Sequence, residues 1–211
     1  MKTLIAIPCM DMVHTVFMKS LLGLQKTGEI KFSISSSSLI YDARNGMARQ
    51  AVLENFDRIL WLDSDMDFAP DLMKRLSADL DEGREFVTGL YFTRVAPIKP
   101  NIFEECGYYH SEDKNEVTPM AINYFDYPQD DVFPIQACGF GGCMMTVDLV
   151  RRVAEKFGLP FSPILGFGED LSFCSRARQL GVELFCDSRV KMGHAGLGTI
   201  TEETYLQTRL K

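Results

Sequence analysis

Three aspartates stand at alternate positions in "ILWLDSDMDF": Asp63, Asp65 and Asp67. Side chains alternate along a strand, so the three would share one side if the extended conformation ran through them. Like charges so close repel unless a cation lies among them. Oxygen ligands suit hard divalent ions such as magnesium and manganese. Such an ion could bridge two phosphates and stabilise the charge on a departing diphosphate. The plainer account is that acidic residues are common at strand ends, with Asp67 opening the turn before Pro70. The preceding "RILWL" favours chemistry, because open parallel sheets gather ligands beyond the carboxyl ends of their strands.

Three other groups of residues could join them. Glu169 and Asp170 follow "GFG" and open a helical stretch. The backbone dipole at a helix start stabilises carboxylates there without any catalytic role. His194 lies in "VKMGHAG", where Gly193 and Gly196 would let the backbone approach a ligand closely. A neutral imidazole binds manganese, whereas a lone loop histidine is otherwise a surface residue. "DARN" sits near the start of a helix. Arg44 at such an N-terminus suits an anionic diphosphate, although Asp42 could simply cap the helix and Arg44 be solvated.

The elements that must position these residues can be read from the apolar pattern. "KTLIAIP", "KFSIS", "RILWLD" and "EFVTGLYF" read as strands. They alternate with helical stretches "MVHTVFMKSLLGLQKTG", "DARNGMARQAVLENF" and "PDLMKRLSADLDEG". That order predicts an α/β domain with a mostly parallel central sheet flanked by helices on both faces. From Thr93 to Pro134 the chain is polar and aromatic, and irregular strands and loops are expected there. "IQACGFGGCMMTV" restores a strand, a glycine bend and a strand. Helices follow at "DLVRRVAEKFG" and "EDLSFCSRARQLG", "VELFCD" is a last strand, and "TEETYLQTRLK" is a polar helix or tail.

Composition narrows the function classes. The 211 residues are 46% hydrophobic, enough for one sizeable domain. A net charge of -7 and the lack of a basic tract leave no footprint for general nucleic-acid binding. No apolar run is long enough to span a bilayer, and the N-terminus reads as a buried strand, so a cytoplasmic protein is expected. The six cysteines form no CxxC and no zinc spacing, which suits free thiols.

Taken together, "RILWLDSDMDF", the first strand ending at Pro8, "YDARNGMARQAVLENF", "GFGGCMMTVDLVRRV", "GFGEDLSFCSRARQLG" and "VKMGHAG" resemble the nucleotide-sugar-dependent glycosyltransferases of the GT-A fold. The closest likeness is to small, single-domain, family-two-like transferases, bacterial and phage-encoded ones among them. The resemblance covers most of the chain and implies a Rossmann-like, mostly parallel fold. Residues 1–92 would form the nucleotide-sugar half and 93–211 the acceptor-binding and catalytic half.

It implies that Pro8, Cys9, Met10, Asp42, Arg44 and Asn45 hold the nucleotide. Within the D-x-D motif, Asp63 and Ser64 would meet ribose or sugar, and Asp65 would bind Mn2+ or Mg2+ together with His194. Asp170 would be the general base and Glu169 would orient the acceptor or the sugar. The glycines of "GFG" and "GFGG" would leave room beside the sugar ring.

The activity implied is transfer of a hexose from a nucleotide diphosphate sugar, UDP first among them, to a hydroxyl. The acceptor would be a glycan, a small molecule, a protein or a modified nucleobase in DNA. Inversion and retention stay open, as does the role of Asp67. A nucleotidyltransferase is the rival enzyme class, but "PCMDMVHT" lacks the glycine-rich basic loop it would need. A non-catalytic nucleotide-sugar-binding module is the third reading.

Overall fold

The first strand, β1 (Lys2–Cys9), is buried along its length because it runs between two parallel neighbours, β2 (Glu29–Ser36) and β3 (Arg58–Leu62). The computed structural model describes residues 1–111, 116–196 and 199–209. Helix α1 (Thr15–Gly23) joins β1 to β2, and α2 (Ile40–Leu53) joins β2 to β3. A short β4 (Met66–Phe68) follows, then α3 (Leu72–Asp81) and β5 (Phe86–Leu90).

The second half holds β6 (Ile102–Ser111), β7 (Glu116–Asn123), β8 (Val132–Ile135), β9 (Ala137–Cys138) and β10 (Gly142–Thr146). Helices α4 (Val147–Phe157) and α5 (Glu169–Arg178), strands β11 (Leu184–Ala195) and β12 (Thr199–Ile200), and α6 (Glu202–Arg209) complete it.

The expected mostly parallel, Rossmann-like sheet is not what forms. The main sheet is mixed, in the order β12-β11-β5-β10-β3-β1-β2, with β4 and β8 paired to β11. Among the described residues three of its pairings are parallel and five are antiparallel. The cause lies in the second half. β10 returns against the direction of both β3 and β5, and β11 collects three antiparallel partners. The alternation of strands and helices over the first four sequence segments carries no information about these later strands.

Other expectations also shift. The segment from Thr93 to Pro134 contains the antiparallel pair β6–β7, with a register shift between Phe103 and Glu105, in a three-stranded sheet with β9. The strand expected at "VELFCD" runs on to Ala195, so His194 is a strand residue. α1 stops at Gly23, and Gly28 instead serves a turn at φ 75° where a Cβ would lie 2.4 Å from the Met1 carbonyl oxygen. α3 starts at Leu72, after Pro70.

Strand alternation divides the core in two. Leu4, Ala6, Ile59 and Trp61 face Met47 and Ala51 of α2, Val150 of α4 and Phe173 of α5. Ile5, Ile7, Leu60 and Leu62 face Phe17 of α1 and Leu72 and Leu76 of α3. The first core holds an aromatic cluster in which Phe161 stacks on Phe173 at 4.8 Å and meets Trp61 edge-on at 5.0 Å. This cluster fixes the loop that leads into α5, and with it Glu169 and Asp170.

Candidate functional site

The aspartate run does not stay extended. β3 ends at Leu62, the Asp63 N–H donates to the Gly141 carbonyl at 3.1 Å, and a turn closes with Met66 N–H to the Asp63 carbonyl at 3.2 Å. The chain then reverses into β4, which pairs antiparallel with β11, opposing Asp67 to Gly193 and Met66 to His194. The three carboxylates therefore part company.

Asp67 accepts from Ser20 Oγ of α1 at 2.9 Å, and that hydroxyl accepts from the Phe68 N–H. Asp67 is a tie between α1 and β4. Asp63 accepts from Arg44 Nη2 at 2.8 Å. Asp65 faces His194, with 3.4 Å between its Oδ2 and the imidazole Nε2, and Arg94 Nη1 pairs with the same oxygen.

The imidazole is oriented from behind. Its Nδ1 lies 2.8 Å from the Phe92 carbonyl, so Nδ1–H donates there and Nε2 is left to face Asp65. The ring also packs edge-on against Tyr91 at 5.6 Å. Burial lowers the His194 pKa, but Asp65 and the Phe92 carbonyl outweigh it and the net shift is upward. For Asp65 burial raises the pKa, while His194 and Arg94 more than reverse it and hold the carboxyl below its usual range.

Arg44 is the hinge between the two acidic groups. Its side chain is 2% exposed, and besides Asp63 its Nε donates to Glu169 Oε1 at 3.2 Å. The guanidinium lies over Trp61 and Phe140, 5.4 and 5.5 Å from their ring centres. Burial opposes its charge, yet Asp63, Glu169 and Asp170 hold the guanidinium firmly protonated. Its Nη1 has no hydrogen-bond partner. Burial pushes the Asp63 carboxyl up, and Arg44 opposes that shift. Asp170 accepts from the Leu171 N–H at 2.7 Å. Burial, reinforced by the Glu169 charge, raises its carboxyl to about 6.

A cleft of about 800 Å³ opens beyond the carboxyl ends of β1 and β3. Pro8, Cys9 and Met10 line it, as do Asp63, Ser64, Asp65, His194, His14 and Arg94. Three of the expected nucleotide residues stand outside the cleft lining. Asp42 is exposed on the first turn of α2 and does not line the cleft. Asn45 is buried, and its Oδ1 accepts from the Phe161 N–H at 2.9 Å, fastening the loop before α5. Arg44 is a buried clamp and not an exposed diphosphate ligand. Glu169 pairs with Arg44, and neither it nor Asp170 lines the cleft.

The glycine bend also has a different purpose from the one expected. A Cβ on Gly139 would lie 2.2 Å from the Tyr91 hydroxyl, and one on Gly141 would lie 2.8 Å from its ring. The hydroxyl accepts from Asn101 Nδ2 at 2.7 Å and from the Gly141 N–H at 3.0 Å. The room made by these glycines is filled by Tyr91.

Asp65 and His194 suit a divalent ion. Two ligands at adjacent corners of an octahedron with bonds near 2.1 Å stand about 3.0 Å apart, close to the 3.4 Å between Oδ2 and Nε2. A histidine whose other nitrogen donates to a carbonyl is the usual metal-ligating arrangement. Among the described residues no group of three or more His, Cys, Asp or Glu side chains comes together as a metal site. The remaining positions on an ion would fall to water and phosphate oxygens. Sequence reasoning missed Arg94 and the Phe92 carbonyl. Neither belongs to a motif, and both act through backbone placement after β5.

The fold is similar to that in the crystal structure of A197 from STIV, with a TM-score of 0.64 and 18% identity over 93% of this chain and 86% of that one. At that identity the likeness is one of fold. No protein-family model matches the chain, and no curated protein matches it.

Proposed function

We propose that this protein is a divalent-metal-dependent glycosyltransferase that moves a hexose from a nucleotide diphosphate sugar, UDP first among the candidates, to an acceptor hydroxyl. The observation that carries the reading is the pairing of Asp65 with an oriented His194 at the mouth of a cleft formed by the carboxyl ends of two parallel strands. When bound, Mn2+ or Mg2+ supplies Lewis-acid stabilisation of the leaving diphosphate. Asp65 and His194 would hold the ion. Pro8, Cys9 and Met10 form the wall against which the base would lie, and Asp63 and Ser64 would face ribose or sugar.

Asp170 lies outside the cleft lining but has the chemistry of a general base for an acceptor that approaches from its side. A carboxyl raised to about 6 is ionised at neutral pH yet more basic than an ordinary aspartate, as a general base should be. Its Oδ1 is held by the Leu171 N–H, which leaves Oδ2 for an acceptor proton. Glu169 keeps Arg44 in place and tunes its neighbour. No helix among the described residues is long and apolar enough to cross a membrane. A cytoplasmic enzyme acting on a glycan, a small molecule, a protein or a modified nucleobase in DNA is consistent with that and with six free thiols.

The test is thermal stabilisation by UDP with and without Mn2+, on wild type and Asp65→Ala. A ligand at one hundred times its dissociation constant stabilises by about 2.7 kcal/mol. Stabilisation that needs both Mn2+ and Asp65 is the expected result. If no nucleoside diphosphate stabilises the wild type in the presence of Mn2+, the donor-site reading is wrong.

A further inference from the structure

We propose that Arg94 is a displaceable latch on Asp65, which exchanges the aspartate for the diphosphate of the incoming nucleotide; the inference rests on the donor-site reading above. One oxygen carries the argument. Asp65 Oδ2 is the atom that faces His194 Nε2, and it is also the atom paired with Arg94 Nη1. A guanidinium and a divalent ion cannot both occupy that position, because like charges would meet with little water between them. An ion that binds this oxygen therefore favours release of Arg94.

The two partners differ in freedom. The Asp65 side chain is 15% exposed, while the Arg94 side chain is 47% exposed. The carboxylate is the fixed member and the guanidinium the mobile one. The loop that carries Arg94 is pinned at its base. Thr93 N–H donates to the Lys99 carbonyl at 2.9 Å, and Lys99 N–H donates back to Thr93 Oγ1 at 3.0 Å. The exchange is consequently a swing of one long side chain and not an opening of the loop.

Arg94 also lines the cleft, so a released guanidinium stays beside whatever fills it. Of the other two aspartates of the run, Asp63 already has Arg44 and Asp67 has Ser20. The anion left for Arg94 is the diphosphate, whose oxygens suit a bidentate guanidinium. The chain thus opposes a divalent ion that arrives alone and favours one that arrives with a diphosphate. That is positive coupling between two ligands, and it must be reciprocal.

The experiment compares wild type with Arg94→Gln by two binding measurements. Mn2+ alone is followed by the loss of its free-ion electron paramagnetic resonance signal, and UDP at saturating Mn2+ by calorimetry. Removing an exposed competitor should tighten Mn2+ alone by roughly two- to fivefold. Losing a charge-assisted contact should weaken UDP by about tenfold or more. The opposite signs are the signature of the latch. If wild type binds both ligands and Arg94→Gln moves both affinities in one direction, or neither, the latch is refuted while the donor site stands. If wild type binds neither Mn2+ nor UDP, the donor-site reading falls and the latch falls with it.

Discussion

Replacing Arg44 by methionine removes the cation that holds Asp63 and Glu169 together while keeping an apolar body against Trp61 and Phe140. Arg44 makes charge-assisted bonds of 2.8 and 3.2 Å to the two carboxylates. Each such bond contributes about 1.5–3 kcal/mol. Asp63 and Glu169 keep 28% and 14% side-chain exposure, so water recovers part of what is lost. Breaking a buried pair costs about 3–5 kcal/mol, and the lower end applies here. A loss of about 3 kcal/mol is a large part of the 5–15 kcal/mol that holds an ordinary domain.

The pH dependence has a definite sign. Arg44 lowers the Asp63 pKa relative to the variant, so its contribution is full at neutral pH and fades as that carboxyl protonates. Urea unfolding of wild type and Arg44→Met should therefore differ by about 3 kcal/mol at pH 7 and by less at pH 4.5. Adding Asp63→Asn and Glu169→Gln to the variant should recover part of the loss. A difference below about 1 kcal/mol at pH 7, or one equal at both pH values, would refute the clamp.

Three further outcomes follow from the placement of the other carboxylates. With Asp170 as base, the transfer rate should rise through about pH 6, and Glu169→Gln should shift that limb to lower pH by removing the neighbouring charge; a limb that does not move excludes Asp170. The same raised carboxyl acts oppositely on folding: its contribution is full below the ordinary aspartate range and is lost as pH rises through about 6, so Asp170→Asn should flatten the stability profile between pH 4 and 7. Asp67→Ala should cost about 1 kcal/mol through the lost Ser20 bond and leave Mn2+ and UDP binding intact, whereas loss of Mn2+ binding in that variant would return the third carboxylate to the metal site.

What the sequence could and could not show divides along physical lines. Apolar periodicity found the strands and helices of the first half, because a buried strand such as β1 and an amphipathic helix such as α2 write their burial into residue type. Strand direction is not written there. Nothing in "GCMMT" distinguishes a strand that returns antiparallel between β3 and β5 from one that continues a parallel series. The D-x-D aspartates were legible as residues, but their common side assumed an extended chain, and the turn at Asp63–Met66 broke that assumption. Arg44 and Asn45 carry polar side chains, which by residue type alone point toward a ligand. They are buried because Asp63, Glu169 and the Phe161 N–H supply partners from distant segments. Arg94 left no signal at all, since a single arginine in a polar stretch is ordinary.

Phe92 has a consequence for the far end of the chain. Its carbonyl sets the imidazole of His194, and its ring stacks on Tyr205 of α6 at 4.5 Å. Tyr205 is buried, and the same helix is tethered through Glu202 to Tyr127 and Lys191. The closing helix contributes no group to the cleft, yet it is mechanically in series with the histidine. A fusion, a cleavage or a binding partner that lifted Tyr205 from its seat would reach the imidazole through Phe92 and the sheet through Lys191.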